Sequence, residues 1–421
     1  MGKLIAVDRY FPIATETSCR NKWSWSTVYL NNGTTASCHR ASVSDIGHNF
    51  DNFHNTDKKI RAREHMLAGS WPGDGCEYCK KIEEAGGTSD RQFQNQIPYV
   101  YPRELDSNPT QTHVVPVILE VFFSNTCNLK CVYCNAKFSS SIQQEDKKFG
   151  GAILKDNNFT YDDNRYQDLV PKFWSWFETN GHNLMRLQVL GGEPFVQKDL
   201  NRLVKHLDSK PNPKLEFNIV TNLSLPMSVI QPQIVELDHL VSNKKVKRVD
   251  ILASVDCWGP AQHYIRHGFD SETFENNMNA MMDLGTFRLG LLTTITALSI
   301  PTMAQLVEKF QSWNQKQTVF WYMHSVLPHD TSIFSPTIFD YHTFEPYLDK
   351  IQNMLPEDSW DNKQTKDIFV GIMQDLKKRC VKNIDKQLEL LRYLDENDKR
   401  RNINWKKIFP WLAKELEHVV Q

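Results

Sequence analysis

The chain has 421 residues, enough for two or three domains and a sizeable core. Its 49 Lys and Arg nearly balance 50 Asp and Glu, for a formal charge of −1, so no overall basic field recruits nucleic acid. Usage is that of a globular protein, 40% hydrophobic and 24% charged, with no apolar run of about 18 residues to span a membrane. The start, MGKLIAVDRYFP, is too short and polar for a secretory signal and lacks the Ser or Thr of a myristoylation site. Nine cysteines without an export signal predict a reducing, cytoplasmic setting and metal or redox use. The chain shows neither internal repeats nor low-complexity tracts.

Four of the nine cysteines, Cys19, Cys38, Cys76 and Cys79, fall within residues 1–105. Asn32-Gly33 between the runs WSTVYL and TTASC predicts a hairpin, which puts Cys19 before one strand and Cys38 at the end of the next. Cys76-x2-Cys79 follows a Pro72-Gly73 turn and opens a predicted helix through Glu84. Four thiolates with one close pair predict a closed, all-cysteine site, and tetrahedral sulfur coordination suits zinc and iron–sulfur about equally. A polar linker marked by Pro102, Pro109 and Pro116 ends this region.

From residue 117 strands alternate with helices, which predicts a parallel sheet of β/α units. The expected strands are Val117–Phe123, Leu184–Leu190, Leu215–Thr221, Val246–Val255, Phe287–Ala297 and Val319–His324. The expected helices are Asp168–Asn180, Leu200–Asp208, Ser228–Leu240, Thr273–Leu284 and Met303–Asn314. Six such strands predict an open, partial barrel. Just after the first strand, in ILEVFFSNTCNLKCVYCN, Cys127, Cys131 and Cys134 stand at C-x3-C-x2-C spacing. Three thiolates this close suit an iron–sulfur cluster or zinc. Zinc wants a fourth ligand, and the nearest histidines, His113 and His182, lie outside the loop. A four-iron cluster held by three cysteines keeps one iron open for a ligand.

Other polar groups fall at the carboxyl ends of the expected strands, where ligands gather in α/β sheets. The second strand ends in Gly191-Gly192-Glu193-Pro194, the third in Thr221-Asn222 and the fourth in Ser254-Val255-Asp256. Glycines let backbone approach a ligand, and Glu193 suits an ammonium group. Taken alone, the tetrapeptide is a turn and Asp256 is as readily a helix N-cap. Arg266, in QHYIRHG, has the fork for a carboxylate, its plainer reading being a surface charge. Thr293, Thr294 and Thr296 fit strand propensity as well as ligand contact. Cys257 reads as a small buried hydrophobe, Cys380 as core or helix surface, and Trp321–His324 as core. From Lys363 to Val420 two or three amphipathic helices are expected, with Lys399–Arg401 a solvated basic face.

The cysteine motif resembles the radical S-adenosylmethionine (SAM) superfamily, whose signature is this spacing with an aromatic residue, here Tyr133, before the last cysteine. The resemblance is strongest from Ile118 to Arg266. It implies a 4Fe–4S cluster on Cys127, Cys131 and Cys134 whose open iron binds SAM, and a cleaved sulfonium whose 5′-deoxyadenosyl radical abstracts hydrogen from a substrate. By the same resemblance Gly191 to Pro194 contact the SAM amino group, Asn222 lies at the same rim, Ser254 and Asp256 meet its ribose or carboxylate, and Arg266 pairs with that carboxylate. The N-terminal elements are similar to the twitch module of some radical SAM proteins: Cys19, Trp23, Gly33, Cys38, Arg63 to Gly69, Cys76, Cys79, Glu84, Gly87, Ser89 and Arg91. That module implies an auxiliary 4Fe–4S cluster on Cys19, Cys38, Cys76 and Cys79; here it precedes the core, where such modules more often follow it. The C-terminal run with Leu394-Asp395, Arg400-Arg401, Trp405 and Phe409-Pro410 resembles the same group.

The expected organisation is therefore a twitch-like domain over 1–105, a partial (β/α)6 radical SAM barrel over 117–330 and a helical region over 331–421. The expected substrate is a peptide or protein, ahead of a small molecule or RNA, and the electron donor an external flavodoxin or ferredoxin. Two other readings fit the residues. One is a zinc-binding module that uses both cysteine groups structurally, and the other an RNA-modifying member of the superfamily, against which the neutral charge speaks.

Overall fold

Period-two and period-3.6 patterns alternate from residue 117 onward, and the computed structural model folds them into strands and helices at nearly the expected places. It describes residues 11–13, 15–39, 41–47, 49–73, 75–84, 89–97, 100–154, 161–325 and 332–417. Gly87 of the N-terminal motif and Val420 lie outside them. The strands are β1 (Trp25–Tyr29), β2 (Thr34–Ala36), β3 (Ser44–Asp45), β4 (Ile118–Phe122), β5 (Lys130–Cys131), β6 (Arg186–Leu190), β7 (Asn212–Thr221), β8 (Val246–Ser254), β9 (Arg266–His267), β10 (Arg288–Ile295) and β11 (Val319–Ser325). The six expected strands run side by side in the order β4-β6-β7-β8-β10-β11, every neighbouring pair parallel. Helices Asp163–Asn180, Lys198–Ser209, Met227–Ser242, Ser271–Leu284 and Met303–Lys316 connect successive strands.

Each strand sends alternate residues to opposite faces. One face is apolar: Leu119, Val121, Leu187, Val189, Phe217, Ile219, Val249 and Ile251 are buried in one core with Phe173, Leu203, Ile230, Met278 and Phe310 of the connecting helices. Burying each such side chain stabilises by about 1.5–3 kcal/mol, which is why these helices lie on this face. The opposite face carries a polar row. In register across five strands stand Glu120, Gln188, Asn218, Asp250 and Arg288. Packed barrel interiors favour bulky branched side chains; this row is polar.

The sheet continues past β4. β1 pairs parallel to β4, with Trp25 opposite Ile118 and Tyr29 opposite Phe122, and β2 and β3 add antiparallel. The Asn32-Gly33 turn joins β1 to β2 as expected, Gly33 taking φ +73°. The N-terminal region divides its apolar residues. Val28, Leu30, Phe50 and Phe53 join the main core, whereas Phe11, Ile13, Trp23, Met66, Tyr101, Leu105 and Val114 form a second one with Cys19 and Cys76.

Among the described residues the C-terminal region holds helix Glu345–Met354, two long helices, Trp360–Arg379 and Ile384–Arg401, and two short ones, Trp405–Ile408 and Pro410–Leu416. One expectation here is corrected. Lys399 is solvated, with 77% of its side chain exposed, but Arg400 and Arg401 keep only 6% and 2%. Both are buried because acidic partners on helix Ser140–Phe149 neutralise them: Asp146 for Arg400 and Glu145 for Arg401. Among the described residues no helix is long and apolar enough to cross a membrane.

Candidate functional site

After Phe122 the chain leaves the carboxyl end of β4 and enters the loop that carries Cys127, Cys131 and Cys134. Local caps shape this loop: Asn125 Nδ2 donates to Ala136 O at 2.8 Å, and Ser141 Oγ to Cys127 O at 2.7 Å. Elements distant in sequence then pin it. β5 pairs antiparallel with β9, which sets Cys131 opposite Arg266. The Glu193 amide donates to Thr126 O at 2.7 Å, and Asn222 Nδ2 to Asn128 Oδ1 at 2.8 Å. From the C-terminal helix Ile384–Arg401, Tyr393 Oη donates to Val132 O at 3.0 Å and Arg401 Nη1 to Lys130 O at 2.9 Å.

The expected SAM-binding residues gather around this loop, though several have protein partners. Gly191 and Gly192 hold positive φ of +81° and +62°. A Cβ on Gly192 would strike Thr126 O, so the turn lies against the cysteine loop. Glu193 is fully buried and accepts from Asn222 N at 2.7 Å, Thr221 Oγ1 at 2.8 Å and Phe195 N at 3.2 Å. Burial nevertheless raises its carboxyl from 4.5 to about 7. Pro194 opens the short turn that follows.

Asp256 and Arg266 are partners of each other. Arg266 places Nε 2.9 Å from Asp256 Oδ2 and Nη2 3.0 Å from Oδ1, a bidentate fork, and both residues are buried. Asp256 also accepts from Tyr133 Oη at 2.6 Å and Thr294 N at 3.0 Å. The N-cap reading of Asp256 therefore gives way to a charged hub that joins β8, β9, β10 and the cysteine loop. Ser254 is buried two residues earlier, on the same strand face. Of the threonines, Thr293 is occupied by Val255 O and Trp321 Nε1, while Thr294 shares the strand face of Ser254. Cys257 is fully buried in the core, and Trp321 and Met323 are core too.

Burial raises all three loop thiols, Cys134 to about 12, and the neighbouring thiols add to the effect on Cys127 and Cys134. Arg266 acts the other way on Cys131 and Cys134. Thiols placed so are neutral until a cationic centre displaces their protons, the chemistry of a soft metal or cluster. As the side chains stand, no three His, Cys, Asp or Glu among the described residues are grouped to hold a metal ion.

The N-terminal cysteines lie at the other end of the sheet. Cys19 immediately precedes the helix Arg20–Ser24 that leads into β1, and Cys38 follows β2, whose Ala36 stands opposite Thr27. Both therefore flank the amino ends of β1 and β4. Cys76 and Cys79 sit at the start of helix Glu77–Glu84, and the charges of Cys38 and Cys76 act on Cys19 as that of Cys38 acts on Cys79. Buried cations lie near this group: Cys38 acts on Lys59, Cys19 on Arg20 and Lys22 on Cys19, and Arg63 acts on Lys59. Lys59 Nζ donates to Ser26 Oγ, Thr35 Oγ1 and Phe53 O. Arg63 donates to Lys22 O, His54 O, Asn55 Oδ1 and Thr112 O. Arg20 donates to Ile97 O and Gln94 Oε1. All of these acceptors are neutral. Desolvation accordingly lowers Lys59 well below its ordinary value, Arg63 to about 9 and Arg20 to about 10, while Cys38 and Cys19 pull Lys59 and Arg20 back up. Thiolate charge on Cys38 and Cys19 would offset Lys59 and Arg20, but as the side chains stand the four cysteines are not grouped as a closed metal site. In the flanking motif the carboxylate that matters is Glu83, which takes Ser89 Oγ and Arg91; the expected Glu84 is exposed.

No known family model matches the chain, and no curated protein matches it. Solved structures do. Streptococcus suis SuiB bound to S-adenosylmethionine is 14% identical, covering 72% of this chain and 64% of that one at a TM-score of 0.39. TYW1 with a lysine–pyruvate adduct is 16% identical over 56% and 70% of the two chains, at 0.30. Methylornithine synthase (PylB) is 13% identical over 66% and 69%, at 0.33. Likeness this loose decides nothing about chemistry, which has to come from the side chains themselves.

Proposed function

We propose that this chain is a radical SAM enzyme with an auxiliary cluster. The observation that supports it most is the convergence, at the carboxyl ends of parallel strands, of the three-cysteine loop with Tyr133, Glu193, Asn222, Ser254 and the Asp256–Arg266 pair. A 4Fe–4S cluster on Cys127, Cys131 and Cys134 supplies the electron that cleaves SAM. The chain's own residues do the positioning. Glu193 offers a carboxylate to the SAM ammonium. Arg266 sits beside Cys131 and offsets thiolate charge, and Asp256 holds Arg266 and Tyr133 in place. Asn222 and the glycine turn fix the loop.

Cys19, Cys38, Cys76 and Cys79 hold the second cluster beside Lys59 and Arg20. A zinc tetrathiolate would satisfy the same cations, so iron content separates the two. The substrate is a peptide or protein, on the resemblance of the N-terminal module, and electrons come from an external flavodoxin or ferredoxin.

Anaerobic reconstitution tests this reading. The wild type should hold about eight irons per chain, and the Cys127/Cys131/Cys134→Ala variant about half. With dithionite and SAM, the wild type should release 5′-deoxyadenosine and methionine and the triple variant none. Full iron in the triple variant, or no cleavage by the wild type, would overturn the assignment.

A further inference from the structure

At the amino ends of β8, β10 and β11, the end of the sheet away from the cysteine loop, lies a cavity of about 360 Å³. Arg288 of the cavity and Thr294 of the carboxyl-end site stand six residues apart on β10, about 20 Å along the strand. Phe320 separates them. Its ring covers Gly290 so closely that no side chain fits there, and it lies in register with Leu252 in an apolar row above the cavity.

The charged residues of the wall are Arg248, Arg288 and Asp361, with a salt-bridge network behind them. Glu216 is held by Arg186 at 3.0 Å, Lys247 at 2.9 Å and Arg248 at 2.9 Å. Asp250 takes Arg248 Nε at 3.0 Å, and Arg288 comes no nearer to it than 3.6 Å, beyond a good hydrogen bond. Asp361 faces the same space from the first turn of helix Trp360–Arg379. Two cations thus meet one carboxylate on the wall; Arg248 is engaged by Glu216 and Asp250, which leaves Arg288 facing the space, 42% exposed and stacked 4.2 Å from the Phe320 ring centre. Thr286 Oγ1, a hydroxyl able to donate to an anion, is buried in the wall without a partner; Gln317 Oε1 is unpartnered too, but as an acceptor it suits only a donor group on the ligand. Gln317 Nε2 donates to Phe287 O at 2.9 Å, which fixes that amide's orientation.

We propose that this cavity binds a small organic anion, a carboxylate or phosphate, through the Arg288 guanidinium with Arg248 behind it and the Phe320 ring as its apolar wall. A planar guanidinium already braced by a ring keeps its outer donors in place for a bidentate anion. The volume suits a ligand of metabolite size. The site is independent of the radical chemistry.

The test uses the full chain, with inorganic phosphate and glutamate as probes that tell phosphate from carboxylate. Calorimetric titration should give a dissociation constant of millimolar order or tighter for at least one probe, with a matching rise in melting temperature. Arg288→Gln should weaken that probe about ten- to a hundredfold, and Arg288→Lys should restore only part of it. Cys127→Ala should bind as the wild type does. Arg288 is exposed enough that its variants should fold, which their unliganded melting temperature checks. Binding of neither probe up to about 10 mM, or binding unchanged in Arg288→Gln, would overturn the proposal.

Discussion

Glu193 shows how far a residue's setting departs from its identity. A carboxylate at a strand end reads as a ligand for an ammonium group, and the structure places it there but fully buried on three donors, its carboxyl raised to about 7. A group raised in this way holds its proton more tightly folded than unfolded. Its contribution to stability is complete below about 4.5 and is lost as the pH rises through about 7. On the proposed reading the same proton would compete with the SAM ammonium. SAM affinity should therefore fall about tenfold per pH unit below 7 and level off above it. Titrations between pH 5.5 and 8.5 check this, and the slope should vanish in Glu193→Gln. Asp256 and Arg266 were legible as polar groups near the rim, but their pairing was not, because nine residues of turn and helix separate them and only the β5–β9 ladder turns one toward the other.

The helix Ile384–Arg401 acts as a clasp on the cysteine loop, through Tyr393 on Val132 O and Arg401 on Lys130 O and Glu145. Basic residues in a last helical turn read as solvated or as dipole-stabilising. Arg401 is buried only because Glu145 and the Lys130 carbonyl, some 250 positions earlier, satisfy it. Removing it leaves Glu145 with Lys130 as its one remaining cation, at 2.8 Å. Arg401→Met should thus cost about 2–3 kcal/mol, below the range for a wholly unpaired buried charge. Thermal unfolding measures that loss. Hydrogen exchange adds a local reading: amides of residues 127–139 should exchange faster in the variant, and an unchanged loop would show that the clasp is redundant.

At the scale of the molecule, the two cysteine groups face opposite ends of one sheet, separated by at least the five residues of β4, about 16 Å. They share a strand pairing but no ligand. A Cys76→Ala/Cys79→Ala variant should therefore lose about half its iron while keeping SAM cleavage, with its melting temperature lowered because metal-binding energy in residues 1–105 is also folding energy. Loss of SAM cleavage in a variant that still folds would show that the two ends are coupled. Much of this was determined by the sequence alone. Helix and strand periods are local, so six strands, their connecting helices and the Asn32-Gly33 hairpin could be placed from residue order, and a three-cysteine spacing carries its coordination chemistry wherever it lies. Only the tertiary structure decided that β1 continues the parallel sheet beside β4, that Lys59 and Arg20 are buried near the N-terminal thiols, and that Arg288 faces a cavity at the far end. Each depends on which residues meet across more than twenty positions of chain, and burial and charge balance are properties of such meetings rather than of any one segment.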